Sequence, residues 1–466
     1  MKSAVTLAMA GVTHAMLMRH LFPGDGLEAA TVLVCSQSPA PRRRLVVRKV
    51  IPVPHEACSY RAVDAIVWPG SYIETAIDVA EREGLTIILL HSHPGGWLDF
   101  SEVDDKSDER VIPGIFQAFG DRHGSAVMTP DGAVRARLYS PDMECETVDL
   151  VTVGGDDIRY WWSEEIANGN LPRRCLAFTS GMTLELGRLS AATIGVSGTG
   201  SIVGEQVARL GFGHVLLVDP DKVEKKNLNR VLNSTLADAE NERFKVEMFA
   251  EAIESYRGPV VARALPLEVG TREAIEAVAQ CDVIFCCVDS QEGRMFADKI
   301  AAAFLIPLFD VGVVIPTFVK DEMPAIADVC GRIDYVQPGG STLFDRGIYT
   351  PKGLRDEDLR KTDPDAFADE VREGYIKGLQ EEAPSVISLN MRAASTVVGE
   401  FVARAFPYRQ EPNRLYARTM FSLAACDEDH YAEDNFQHAG DDAMLGRGYQ
   451  EPLLGMPAFR KRRKPE

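Results

Sequence analysis

The sequence predicts an α/β protein of two domains, the second built on a mainly parallel sheet. Three observations carry this. The chain has 466 residues, too many for one ordinary domain. From about residue 185 to 425, apolar strand candidates alternate with helical periods (192–196, 203–210, 214–218, 283–288), the pattern of strands joined by crossover helices. Before residue 147 the strand-like runs are short (30–35, 45–53, 86–90) and separated by Pro- and Gly-rich turns, with a helical stretch at roughly 74–83.

The elements follow in order. A strand is expected at 5–9, then a helix begun at Thr13, since Thr caps helices. The start superficially resembles a signal peptide, but His14 and Arg19 sit badly in an export segment. The first domain is expected over 1–147, a polar, aromatic-tipped connector over 148–184, and the second domain over 185–425. A highly charged stretch at 349–382 lacks a strand-like run and reads as a mobile insertion. Residues 426–466 read as a tail, whose basic run from Arg460 to Lys464 is expected to be solvated. No internal repeat is present.

Composition narrows the function classes. Apolar residues at 45% and charged residues at 26% give a globular balance. Fifty Lys and Arg against 69 Asp and Glu leave a net charge of −19, which excludes a non-specific nucleic-acid binder. No apolar stretch reaches the roughly 18 residues of a membrane span. Nine cysteines without a CxxC pair fit a reducing cytosol, so a cytoplasmic protein is expected.

Around position 91 the chain reads His91-Ser-His93-Pro94, six residues, then Ser101-Glu-Val-Asp104. Residues i and i+2 of a strand share a face, so both imidazoles reach one metal. Ser101 and Asp104 have helix-start spacing, placing Asp104 on a first turn that faces the strand end. Two His and one Asp leave a zinc position open, and zinc in such a set lowers the pKa of water toward about 7. The chemistry also needs a proton-shuttling carboxylate and an oxyanion donor, for which Ser101 is available. This order, HxHP-x6-SxxD, resembles the JAB/JAMM (Mov34/MPN) metalloprotease motif. The resemblance covers about residues 1–147 and implies an α/β/α zinc hydrolase that cuts peptide or isopeptide bonds after the C-terminal glycine of ubiquitin-like proteins. It also implies a catalytic glutamate upstream, at the start of an apolar strand. Glu28 matches that context, with Glu56 the competitor.

In the second domain, Gly195-Val-Ser197-Gly198-Thr-Gly200 leads from a strand into a helix, where backbone N–H groups approach a phosphate. A dinucleotide fingerprint would have Gly at Ser197. Asp219 ends the next strand, 24 residues after Gly195, suiting a ribose. To this point NAD and ATP both fit. Asn227, Arg230 and Lys245 then add an amide and cations, and Asp289 a strand-end carboxylate for magnesium, the needs of a triphosphate. The segment is similar to the ThiF/MoeB/ubiquitin-activating-enzyme family over about 185–405, including the stretch 383–390. The resemblance implies a Rossmann-like adenylation domain. Asp219 would hold the ribose, Asn227, Arg230 and Lys245 the phosphates, and Asp289 the magnesium, with Arg294 in the same context. A neighbouring subunit's arginine often completes this family's site; Arg173 or Arg174 is the candidate, and a homodimer is the expectation.

Two departures stand out. After Pro338-Gly-Gly340 the family's zinc-binding cysteines are missing, so no zinc is expected in this domain. The insertion 349–382 holds no thioester cysteine, and Cys330 is the only candidate between Cys287 and Cys426. A cysteine there is more often a small buried hydrophobe. Together the resemblances imply a bifunctional enzyme of a bacterial-type ubiquitin-like conjugation system, associated with anti-phage defence, in which a zinc (iso)peptidase processes or removes the modifier and an adenylyltransferase activates its glycine. Separate conjugating enzymes are possible partners; nucleic acid and membrane are not expected. Sulfur-carrier activation, and a carrier-binding scaffold with one inactive domain, are the alternatives.

Overall fold

The computed structural model describes residues 5–163, 175–315, 317–320, 323–326, 328–372, 387–438 and 443–461. The chain divides into two compact units. The first comprises Met1–Arg174, Ala302–Leu305 and Asp441–Glu466, and the second Cys175–Ala301 and Ile306–Gly440.

The first unit is built on a nine-stranded mixed sheet. In spatial order its strands are Ile158–Trp162, Leu150–Gly154, Val5–Ala10, Arg43–Pro52, Ala30–Gln37, Thr86–Ser92, His123–Met128, Val134–Tyr139 and Cys145–Thr147. Because successive strand residues face opposite ways, the apolar runs serve two cores. Leu33, Cys35, Ile88 and Leu90 pack with Leu17 and Leu21 of the helix Gly11–Leu21. Val32, Val34, Ile87 and Leu89 pack with Ala76 and Ala80 of the helix Ser71–Ala80 and with Ile112 and Ile115 of the helix Glu102–Ala118. Helices therefore cover both faces, an α/β/α layering.

Three local expectations differ from the structure. The first helix begins at Gly11 rather than Thr13. A Cβ at Gly11 would lie 2.5 Å from the Cα of Gly155, so the close approach of these two backbones sets the start, not a hydroxyl cap. The sheet runs past residue 147: Leu150–Gly154 pairs in parallel with Val5–Ala10, and Ile158–Trp162 forms the edge, so the first part of the expected connector is strand. The last segment is not a solvated tail. Tyr449 N–H donates to Gln37 O at 2.8 Å, Ser36 Oγ–H donates to Gly446 O at 2.6 Å, and Leu453 and Leu454 are buried. Arg460 and Lys461 are exposed or nearly so, and the rest of the basic run lies outside the described residues.

In the second unit an eight-stranded sheet has the order Ala262–Leu265, His214–Val218, Ser190–Ile194, Val283–Cys286, Leu308–Val314, Cys330–Val336, Arg418–Ser422, Asp427–Tyr431. The first five strands are parallel and the last three are added antiparallel. The strand Asp427–Tyr431 carries this unit past residue 425. Crossover direction reverses between Ser190–Ile194 and Val283–Cys286, and the crevice at such a switch point is where open α/β sheets bind ligands. The expected mobile insertion contains two helices, Pro351–Thr362 and Pro364–Arg372. Thr350 caps the first by accepting from Gly353 N–H at 3.0 Å, and Pro351 occupies its first turn, a start signal present in the sequence. The remainder of the insertion, 373–382, and residues 383–386 lie outside the described residues.

Candidate functional sites

The first site lies at the end of the strand Thr86–Ser92. His91 pairs in register with Ala30 on one side and Val127 on the other. His93 follows directly, held by its N–H to Met128 O at 2.8 Å. The two Nε2 atoms are 3.0 Å apart. Facing them, Ser101 caps the helix Glu102–Ala118 in a reciprocal capping box with Asp104. Asp104 accepts from Ser101 N–H at 2.6 Å and from Ser101 Oγ–H at 2.7 Å. That double grip holds its carboxylate 3.0 Å from His91 Nε2 and 3.5 Å from His93 Nε2.

Glu28, just before the strand Ala30–Gln37, completes the group. Its backbone is fixed by its N–H to Ala62 O and by Arg61 Nε–H donating to its carbonyl, both at 2.8 Å. One ligand atom each from Glu28, His91 and His93 lie within 4.8 Å of one another. Glu56 is exposed on a short turn of helix. Ser92, unremarked in the sequence, ties the two strand ends together, because its buried hydroxyl accepts Ala29 N–H at 2.8 Å.

Electrostatics follow from burial and proximity. Burial pushes the Glu28 carboxyl above its ordinary range, against the pull of His91 and His93. Burial also acts upward on Asp104, but hydrogen bonds from both imidazoles outweigh it and hold that carboxyl well below the usual range. His93 Nδ1 lies 2.8 Å from Trp97 O, which can only accept, so Nδ1 carries the proton and Nε2 faces the cluster. Two imidazole nitrogens and carboxylate oxygens converging on one point form a donor set suited to zinc, so the residues fit that ion. Behind the helix, Arg137 bonds Asp105 and Asp108 at 2.6 Å each and lies over the Phe100 ring at 3.8 Å, bracing the turn that presents Asp104.

The second site is a cavity of about 460 Å³ at the switch point of the parallel sheet. Gly195 takes φ +84°, turning the chain from strand into the helix Gly198–Leu210. Gly198 packs so closely that a Cβ would lie 2.3 Å from Asn390 Nδ2. Asp219 is buried at the end of its strand, accepting from Val196 N–H at 2.6 Å and Asp221 N–H at 2.8 Å. Burial raises its pKa, while Lys245 pulls it down.

Of the sequence-predicted residues, Gly195, Gly198, Asp219, Arg230, Asp289 and Arg294 line this cavity. Gly200, Asn227 and Lys245 are not among its lining residues. Asn227 is buried and accepts Glu224 N–H at 3.0 Å, shaping the turn before Arg230. Lys245 is buried and bonded to Asp221 at 2.7 Å. Arg294 lies 3.4 Å from the buried carboxylate of Asp310, which also pairs with Arg332. Cys287 lines the cavity, but burial drives its thiol far above the ordinary range. Cys330 begins an inner strand, and its thiol donates to Asp328 at 3.1 Å. Burial, then Asp328, raise its pKa, so the neutral thiol prevails at neutral pH. Arg173 and Arg174 lie outside the described residues.

Comparison with known proteins bears on the second unit. Residues 173–352 match the ThiF family, and this stretch is a ThiF/MoeB-like adenylyltransferase domain. Curated relatives include ubiquitin-like modifier-activating enzyme 5 of Aedes aegypti, 24% identical over 255 residues, with 51% of this chain and 61% of the relative covered. The enzyme of the same name from Arabidopsis thaliana is 24% identical over 225 residues, covering 45% and 50%. The chain thus spans about half to three-fifths of the length of these relatives. Among solved structures, Escherichia coli MccB with ATP aligns with TM-score 0.41 and 15% identity over 55% of this chain and 67% of that one.

Proposed function

We propose that the second unit adenylylates the C-terminal glycine of a ubiquitin-like or sulfur-carrier protein, and that the first unit is a JAB/JAMM-type zinc (iso)peptidase acting on the same partner. The observation that carries the first half is the convergence of a glycine cradle, a buried strand-end acid, Arg230, Asp289 and Arg294 on one cavity within the ThiF-matching stretch. In this reading the first turn of the helix Gly198–Leu210 offers N–H groups to the phosphates, and Asp219 accepts from ribose hydroxyls. Asp289 holds magnesium, which offsets phosphate charge. The carrier's carboxylate oxygen attacks the α-phosphorus, the bond to the bridging oxygen of pyrophosphate breaks, and an acyl-adenylate forms. Arg230 and Arg294 stabilise the charge that develops.

In the first unit, His91, His93 and Asp104 would hold zinc, which supplies Lewis acidity and a more acidic water. Glu28, buried beside them with a raised pKa, takes and returns the proton. Ser101 donates to the developing oxyanion, a bond for which it must exchange its present one to Asp104. We place the protein in the cytoplasm as a homodimer. Among the described residues no helix is long and apolar enough to cross a membrane.

Thermal stabilisation tests the nucleotide half. ATP with magnesium at 100 times its dissociation constant adds about 2.7 kcal/mol, and the shift should fade in Asp289→Ala. A preference for NAD refutes it. Metal analysis of freshly purified protein tests the other half: zinc is expected in the wild type and lost in His93→Ala, and a zinc-free wild type refutes it.

A further inference from the structure

The helix Pro351–Thr362 buries none of its own side chains, yet it is pinned beside the nucleotide cavity. Glu357 accepts Gln291 N–H at 2.7 Å and Glu292 N–H at 2.9 Å, so one carboxylate satisfies two free donors at the start of the helix Gln291–Phe304. Gln291 in turn accepts Thr350 N–H at 2.9 Å. One turn after Glu357, Lys361 reaches the cavity and bonds Glu292 at 2.6 Å.

Charge decides what that ammonium is for. Among the described residues, Asp219, Asp221, Glu268, Asp289 and Glu292 line the cavity against Arg230, Arg294 and Lys361, so acids outnumber bases where a triphosphate would sit. Arg294 is tied to the buried Asp310, and Arg230 donates to its own segment, to Lys226 O at 2.8 Å. Among the described residues Lys361 makes its ion pair with Glu292, an exchangeable contact whose side chains are 53% and 43% exposed, a class worth about 0–1 kcal/mol. A phosphate oxygen outcompetes such a partner readily.

We infer that Lys361 is a nucleotide-binding residue: with ATP bound, its ammonium leaves Glu292 for the polyphosphate, and the Glu357-pinned helix is the arm that delivers it. The inference rests on the nucleotide reading above and extends it to a residue outside the glycine-strand framework. The test is calorimetric binding of ATP with magnesium and of AMP to the intact chain, as wild type, Lys361→Ala and Lys361→Arg. Lys361→Ala should weaken ATP roughly tenfold, the order of one charge-assisted hydrogen bond, and leave AMP unchanged; Lys361→Arg should recover most of the loss. Equal ATP affinity in wild type and Lys361→Ala overturns the inference alone. So does an equal loss for AMP, which marks a structural role. A wild type that binds neither nucleotide overturns the nucleotide reading and this inference together.

Discussion

Gly200 offers the sharpest perturbation of the nucleotide site. A Cβ built there would sit 1.7 Å from the carbonyl oxygen of Gly195, 2.8 Å from its carbonyl carbon and 3.1 Å from Cys287 Cβ. The first two atoms are backbone, at the turn that must hold φ +84° to start the cradle, so no side-chain rotation relieves the clash. To reach ordinary contact, the turn and the helix have to part by about 1.5 Å. Strain of this kind costs about 1–3 kcal/mol in a packed interior, and with both obstacles rigid Gly200→Ala belongs at the upper end. The same movement displaces the N–H groups of the first helical turn, so ATP binding should fall by more than the stability loss explains. Gly399→Ala is the matched control. It lies mid-helix in Ile387–Ala405, and a Cβ meets nothing within 4 Å, so alanine there should stabilise by roughly 0.5–1 kcal/mol. Denaturant unfolding and ATP titration of both variants provide the readout. Gly200→Ala with wild-type stability and wild-type ATP affinity would refute the reasoning.

Three further outcomes are expected. Glu28→Gln should retain zinc while isopeptide or peptide cleavage falls about 10²–10⁴-fold; unchanged cleavage would remove Glu28 from the proton path. Cys330→Ala should leave ATP–pyrophosphate exchange intact, and loss of a dithiothreitol-sensitive carrier conjugate in that variant would restore Cys330 as a nucleophile. Asp298 is buried against Tyr349 OH at 2.9 Å, and burial raises its pKa to about 6. A raised acid binds its proton more tightly when folded, so its stabilising contribution is complete below the unfolded value near 3.8 and is lost as pH rises through 6. Stability of Asp298→Asn relative to wild type should therefore climb by up to about 3 kcal/mol between pH 4 and 7; a flat difference across that range contradicts the raised pKa.

What the sequence disclosed and what it concealed follow from range. His91, His93, Ser101 and Asp104 lie within fourteen positions of one another, and strand and cap geometry convert that spacing directly into convergence. The glycine turn, Asp219 and Asp289 were legible for the same reason, each being fixed by the end of its own strand. Readings failed where partners were remote. The runs at 150–154 and 158–162 look like linker until the first strand of the chain is known to lie alongside them. The pairing of Lys245 with Asp221, 24 positions away at the cavity wall, is likewise a contact that no local pattern encodes. Lys361 escaped notice because it sits among many surface charges, and only the grip of Glu357 on a neighbouring helix start brings it to the cavity.

The return of residues 443–461 to the first unit sets an order on biosynthesis. A ribosome that has released residues 1–174 has made most of the first unit but not the segment that covers Ser36 and Gln37 and buries Leu453 and Leu454. All of Cys175–Gly440 emerges before that segment does. The second unit can therefore finish folding while the first is still waiting for its last piece. A truncation at residue 174, or loss of residues 443–461, would leave the early-made unit permanently unfinished and should reach the histidine cluster before it reaches the glycine cradle.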